Sequence, residues 1–117
     1  MGIYITPWGA WEKIEAFQCV LQCIKVKRLC VYPKHRTSLQ YHEYREEHLI
    51  VVSGEALITQ NGKEEVYSPG DYVFIDRKDI HRIQCSSDIP LVIYECQVGD
   101  VCAESDIVRL QDDYSRV

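Results

Sequence analysis

The chain has 117 residues, 46% hydrophobic and 26% charged, and a formal net charge of -5. That length suits one domain around one core. With 13 Lys and Arg against 18 Asp and Glu, a general nucleic-acid footprint is excluded, and no apolar run has the length of a membrane span. The first residues lack the basic start and apolar core of a secretory signal. Met1-Gly2 with Thr6 fits a loose myristoylation pattern, but a turn over Thr6-Pro7-Trp8-Gly9 explains the same residues, so a cytoplasmic chain is expected.

In chain order, residues 1–18 form an opening segment with that turn and the apolar anchors Trp11, Ile14 and Phe17. Residues 19–32 are rich in Val, Ile, Leu and Cys, and Ile24-Lys25-Val26-Lys27 alternates with the period of a half-buried strand. Arg28 breaks that register, which marks a bulge. Pro33 ends the strand, and Lys34-His35-Arg36-Thr37 is a basic loop. Residues 38–54, Ser-Leu-Gln-Tyr-His-Glu-Tyr-Arg-Glu-Glu-His-Leu-Ile-Val-Val-Ser-Gly, concentrate Gln40, His42, Glu47 and His48 ahead of the apolar run Leu49-Ile50-Val51-Val52. Gln40 and His42 are two apart, so on a strand they share a face. Polar side chains on one face beside a β-branched run point to a metal site inside a small barrel.

Glu55 to Gln60 reads as a strand, and Asn61-Gly62 is a hairpin turn because both residues tolerate positive φ. Glu64 to Tyr67 returns. Ser68-Pro69-Gly70-Asp71 turns into the strand Tyr72–Ile75, and Asp76 to Ile80 is a charged loop. His81 to Cys85 and Pro90 to Val98 are further strands. About eight short strands between turns indicate an all-β sandwich or barrel. The acidic tail from Glu104 to Tyr114 is expected as a short helix or an arm. Cys19, Cys23, Cys30, Cys85, Cys96 and Cys102 form no Cys-x-x-Cys pair. They read as small buried hydrophobes rather than a disulfide framework or a redox or zinc-thiolate site.

The spacing then becomes informative. Gln40-x-His42, four residues, Glu47, six residues and Gly54 are followed downstream by Gly70, five residues, Asp76-x-Lys78, two residues and His81. This resembles the two-part signature of the cupin superfamily. Pro7-Trp8-Gly9, Val26-Lys27-Arg28, Ser38-Leu39-Gln40-x-His42, Arg45-x-Glu47-His48, Val51-Val52-Ser53-Gly54, His81-Arg82-Ile83 and Glu95-x-Gln97-x-Gly99 resemble the type II mannose-6-phosphate isomerase family. So does the tail, Glu104-x-Asp106-Ile107-Val108-Arg109 with Asp112-x-Tyr114-x-Arg116. Departures from the family pattern are Thr6 for Arg, Glu43-Tyr44 for histidines, Leu49 for Trp, Asp76 and Lys78 for Pro and Gly, and Cys85 for Asn.

The resemblance implies one cupin domain over 1–117, a double-stranded β-helix or jelly-roll barrel with short terminal arms. Its first motif spans about 38–54 and its second about 70–85. It implies Gln40, His42, Glu47 and His81 as ligands of one divalent ion. Two imidazoles with oxygen donors suit zinc, and also iron(II), manganese, nickel or cobalt. It implies an aldose–ketose isomerase acting on mannose 6-phosphate and fructose 6-phosphate, with His48 or Glu95 as base. Arg45 is expected to bind phosphate, with Arg82 and Arg109 as further candidates; Lys34, Arg36 and Lys78 rank below them. A homodimer is expected, and a separate guanylyltransferase is a partner to consider. The competing readings are a non-catalytic cupin that binds a sugar phosphate, and a small metal oxygenase.

Overall fold

The computed structural model describes residues 2–18 and 22–116; Cys19 and the start of the 19–32 segment lie outside them. Among the described residues the chain forms eleven strands and no helix. They are β1 (Ile3–Thr6), β2 (Gly9–Gln18), β3 (Cys23–Val31), β4 (Leu39–Tyr41), β5 (Arg45–Ser53), β6 (Ala56–Gln60), β7 (Lys63–Tyr67), β8 (Tyr72–Ile75), β9 (His81–Cys85), β10 (Leu91–Gly99) and β11 (Val108–Gln111). They make two antiparallel sheets, one in the order β1-β2-β3-β10-β5-β8 and the other β11-β4-β9-β6-β7. Among the described residues no helix is long and apolar enough to cross a membrane.

The period-two pattern of the strands decides what fills the space between the sheets. Leu29, Val31, Leu49, Val51, Leu91 and Ile93 point inward from the larger sheet and meet Ala56, Ile58, Ile83 and Cys85 from the smaller one. Each fully buried Leu, Ile or Val contributes about 1.5–3 kcal/mol. Further along the same inward faces the chemistry changes on three neighbouring strands together. β3 goes from Val31 and Leu29 to Lys27, β10 from Leu91 and Ile93 to Glu95 and Gln97, and β5 from Val51 and Leu49 to Glu47 and Arg45, all buried. The register aligns these steps, pairing Glu95 with Lys27 and Leu49, and Gln97 with Glu47. The barrel therefore has an apolar end and a polar end, and the site lies at the polar one.

Two turns carry the geometry their residues predict. Asn61 and Gly62 have φ of 50° and 83°, as a tight hairpin between β6 and β7 requires. Gly54 has φ of 77°, and a Cβ there would lie 2.6 Å from Pro90 O, so the motif glycine lets the β5 exit pass under β10.

Three expectations are corrected. Arg28 does not mark a bulge; β3 runs unbroken through it, and the register shift lies opposite, in β2 between Lys13 and Glu15. Lys25 and Lys27, not Ile24 and Val26, turn toward Glu104, with Nζ 3.0 Å and 2.8 Å from its carboxylate, and Arg28 faces outward to Glu12. The tail takes the second of its two expected forms, an arm, whose strand β11 adds to β4. Cys23 and Cys102 form a disulfide across 79 residues, with Cα atoms 5.9 Å apart, because that arm folds back over the start of β3. Cys85 is buried as expected, while Cys30 and Cys96 are half-buried.

Candidate metal centre

The two sheets bring the polar motif residues face to face. On the smaller sheet, Arg109 of β11 pairs in register with Gln40 of β4, and Gln40 with His81 of β9. Register partners share a face, so these three side chains form one row. Glu47 of β5 comes from the opposite sheet, and His42 follows β4 directly. Nitrogens of His42 and His81 and a carboxylate oxygen of Glu47 lie within 4.8 Å of one another, and all three residues are buried. They line a cavity of 140 Å³ together with Gln40, Arg45, Glu95 and Arg109.

Hydrogen bonds on the far side of each imidazole set its tautomer. His42 Nδ1 lies 2.6 Å from Asp106 O, and His81 Nδ1 lies 2.9 Å from Asp79 O. A carbonyl only accepts, so each Nδ1 carries the proton and each Nε2 presents a lone pair. Both Nε2 atoms face Glu47, at 3.4 Å from Oε2 and Oε1 respectively. The His81 contact lacks hydrogen-bond geometry, and its buried Nε2 has no hydrogen-bond partner. Burial alone would raise the Glu47 carboxyl. With both Nε2 atoms turned to it as lone pairs, the Arg45 guanidinium, its Nη2 3.0 Å from Oε2, is the charge that holds the carboxyl well below the usual carboxylate range. Burial lowers His42, which keeps its ring neutral.

An ionised carboxylate and two imidazole lone pairs thus converge on one point. Arg45 meets part of that demand, with Nη2 3.0 Å from Glu47 Oε2 and 3.4 Å from His42 Nε2. His81 Nε2 is left without a partner, so the donor set fits a divalent cation. Gln40 presents its Nε2 to the cluster, 3.4 Å from His42 Nε2, while its Oε1 accepts from Ser38 Oγ at 2.5 Å. A rotated amide would offer oxygen instead, and the Ser38 hydroxyl can serve either orientation.

Glu95 is the second carboxyl of the cavity. Burial and the neighbouring Glu47 charge push it up to about 8, so beside an ionised Glu47 it keeps its proton. Gln97 Nε2 donates to Glu95 Oε1 at 2.6 Å. The cavity cations differ in how they are satisfied. Lys27 lies 3.8 Å from the centre of the Trp11 ring besides its Glu104 contact, Arg45 binds Glu47, and Arg116 Nε lies 2.6 Å from Asp112. Arg109 Nε is buried with no hydrogen-bond partner, and among the described residues no carboxylate pairs with the side chain.

The structure does not bring every expected residue to the cavity. His48 lies on the outer face of the larger sheet, its Nδ1 2.5 Å from Tyr72 Oη and its ring against Phe74. Adjacent residues of a strand face opposite ways, so Glu47 inward puts His48 outward. Arg82 is buried away from the cavity and donates to Thr37 O and Gln111 O, which ties the arm to the barrel. Arg36 is held by Asp113 at 2.7 Å. Lys34 and Lys78 are loop residues at φ 66°, and Lys78 serves the site through its backbone, whose N–H donates to His42 O at 2.8 Å.

Sequence reading passes over Asp106. Its carbonyl holds His42, and its two carboxylate oxygens each accept at 3.0 Å from the Glu43 and Tyr44 amides. One arm residue therefore fixes both a candidate ligand and the turn that connects it to the strand carrying Glu47. The signal was the tail motif Glu104-x-Asp106, but no sequence spacing says that the arm folds over the mouth.

Comparison with known proteins places this geometry. The family described as Mannose-6-phosphate isomerase C-terminal matches residues 3–112. The xanthan biosynthesis protein XanB of Xanthomonas campestris is 37% identical over 94% of this chain and 23% of its own length. The alginate biosynthesis protein AlgA of Pseudomonas aeruginosa is 38% identical over 94% of this chain and 22% of its own. The chain thus spans less than a quarter of the length of these relatives. A cupin 2 domain-containing protein from Halorhodospira halophila superposes with a TM-score of 0.67 at 20% identity, over 78% of this chain and 63% of that one, which shows the cupin fold. The chain belongs to the mannose-6-phosphate isomerase C-terminal family.

Proposed function

We propose that this chain is a metal-dependent sugar-phosphate isomerase interconverting mannose 6-phosphate and fructose 6-phosphate in cytoplasmic polysaccharide biosynthesis, and that it works as a homodimer. The observation that carries the reading is the inward-facing His42, Glu47 and His81 set, with an unpartnered His81 Nε2, in the same cavity as the unpaired Arg109. His42, Glu47 and His81, with Gln40 as a fourth donor, would hold the divalent ion; zinc suits this set. The ion would supply Lewis-acid stabilisation of negative charge developing on substrate oxygens.

The chain's own residues supply the rest. Interconversion of an aldose and a ketose moves a proton between C1 and C2 through an enediolate. Glu95 is the carboxyl to move it. It lines the cavity, and its raised affinity for a proton suits a group that must both take and return one near neutrality. Arg109 is the cation free to receive the phosphate, and a guanidinium can grip it with two parallel hydrogen bonds. Arg45 is engaged with Glu47 and with Ala103 O at 3.0 Å, so its role is to hold the ligand carboxylate.

The test is a coupled isomerase assay on metal-loaded protein in both directions. Turnover lost in Glu95→Gln, and a KM raised about 10- to 100-fold in Arg109→Ala, are expected, with metal content unchanged in both. Metal-loaded protein that binds sugar phosphate without converting it would replace the isomerase reading with that of a binding module.

A further inference from the structure

The arm that follows β10 does much to order the cavity, and one covalent link ties its root to the barrel. Cys102 stands just beyond the end of β10, and its disulfide partner Cys23 opens β3, in register with Gly99. Past that link the arm reaches the site residue by residue. Ala103 O accepts from Arg45 Nη1 at 3.0 Å, and Glu104 takes Lys25 and Lys27. Asp106 O accepts from His42 Nδ1 at 2.6 Å, and its carboxylate holds the turn at Glu43 and Tyr44. Arg109 then lines the cavity. Between Gly99 and Val108 the arm belongs to no strand. The cost of ordering that stretch is offset by these point contacts and by the disulfide at its root, not by a sheet ladder.

We infer that Cys23–Cys102 is a redox-controlled latch on the candidate metal centre. Closed as the disulfide, it holds the arm over the mouth and His42 in the tautomer that presents Nε2. Opened by a dithiol reductant, it frees the arm and weakens the hold of the site on its ion. The step is thiol–disulfide exchange. One thiolate of the dithiol attacks a sulfur of the link, which breaks the S–S bond and forms a mixed disulfide. The second thiolate of the reductant then closes on the first and releases the chain. Two electrons pass to the chain, the reductant leaves as its own disulfide, and its two protons end on the Cys23 and Cys102 thiols. Both cysteines are buried, 7% and 6% exposed, so the exchange proceeds through a local opening of the arm's root. In the proposed cytoplasmic setting thiols are kept reduced, and disulfides that form there are transient and redox-sensing. The remaining described cysteines do not serve this purpose. Cys85 belongs to the apolar core, and Cys30 and Cys96 face away from the cavity, being next to the inward Leu29 and Glu95.

The inference rests on the metal reading of the site and not on the isomerase reaction. The oxidised chain is compared with chain reduced by a dithiol and freed of it by gel filtration under argon. Zinc affinity, read by competition with a chromophoric chelator, should be about 10- to 100-fold weaker after reduction, the range for losing an outer support of a ligand. In metal-free protein the His42 ring-nitrogen shifts should leave those of a single Nδ1-protonated tautomer. Cys23→Ser with Cys102→Ser should have the weaker affinity from the start and no response to dithiol, with circular dichroism checking its fold. Equal affinity and equal His42 shifts in the oxidised and reduced wild type overturn the latch and leave the metal centre standing. A dithiol response that persists in the double variant overturns it too, by assigning the effect to another thiol. An oxidised chain in which alkylation finds Cys23 and Cys102 free overturns it directly. A chain that binds zinc in neither form overturns the metal reading and the latch with it.

Discussion

Glu47 and His48 are joined by one peptide bond and live in opposite surroundings. Glu47 is buried between two imidazoles and a guanidinium, whereas His48 stands on an apolar outer face beside Tyr72 and Phe74. The inner face around Glu47 holds a carboxylate, two imidazoles and a protonated carboxyl within one small cavity. The outer face is largely hydrophobic around one ion pair, Arg28 with Glu12. The period-two alternation of a strand turns one sequence motif into two surfaces with different chemistry. Polar groups are exposed to water's absence on the inside, where each unpaired atom is costly, and apolar groups are exposed to water on the outside.

The sharpest way to break this comparison is to substitute both neighbours. Glu47→Gln removes the only anionic donor among the three converging residues. Chelator competition should show metal affinity falling by more than the roughly 100-fold that loss of a supporting outer residue costs. His48→Gln should leave metal affinity and turnover within about twofold. Equal losses in the two variants would undo the division into inner and outer faces.

Next in size is Asp106→Ala, which frees the turn that carries His42. Metal affinity should fall about 10- to 100-fold. In the metal-free protein, the ring-nitrogen chemical shifts of His42 should move away from those of a single Nδ1-protonated tautomer. Unchanged shifts together with unchanged affinity would leave Asp106 as a support of the arm alone.

Glu95 gives a smaller effect with a definite sign. Its folded-state value is raised from 4.5 to about 8, so the folded protein retains a proton that the unfolded chain releases across that window. The stability this group contributes is present at low pH and is lost as pH rises from about 4.5 toward 8. In metal-free protein, Glu95→Gln should therefore become more stable relative to wild type as pH rises through that range, as read by denaturant unfolding. A constant difference would mean that Glu95 is already ionised beside Glu47.

The smallest expected change concerns the loop between β8 and β9. Lys78 holds φ of 66° where the family pattern has glycine. Lys78→Gly should stabilise the fold by up to about 1 kcal/mol, because a side chain in the left-handed region is strained. The hydrogen bond from its N–H to His42 O should persist, so metal affinity should not change.

Much of the barrel was legible before the structure. Asn61-Gly62 announces its hairpin by residue type, and the alternation of β5 and β10 announces strands. Gln40, His42 and Glu47 stand out by spacing, and His81 by its place in a second motif. The strand face taken by Lys25 and Lys27 was not legible, since Ile24 and Val26 are the more apolar pair. Glu104, brought across by the arm, reverses that choice by offering both ammonium groups a carboxylate. The disulfide between Cys23 and Cys102 escaped for the same reason, because it depends on where the arm returns.

The sequence by itself determined the local elements and the residue types of the site, because turn chemistry, strand alternation and ligand identity are properties of near neighbours along the chain. Only the tertiary structure decided which polar residues meet. Sheet register set Arg109 beside Gln40 and His81, strand alternation sent His48 outside, and the folded-back arm placed Asp106 behind His42. Those outcomes are set by contacts between residues dozens of positions apart, and their energies appear only once the two sheets have closed on each other.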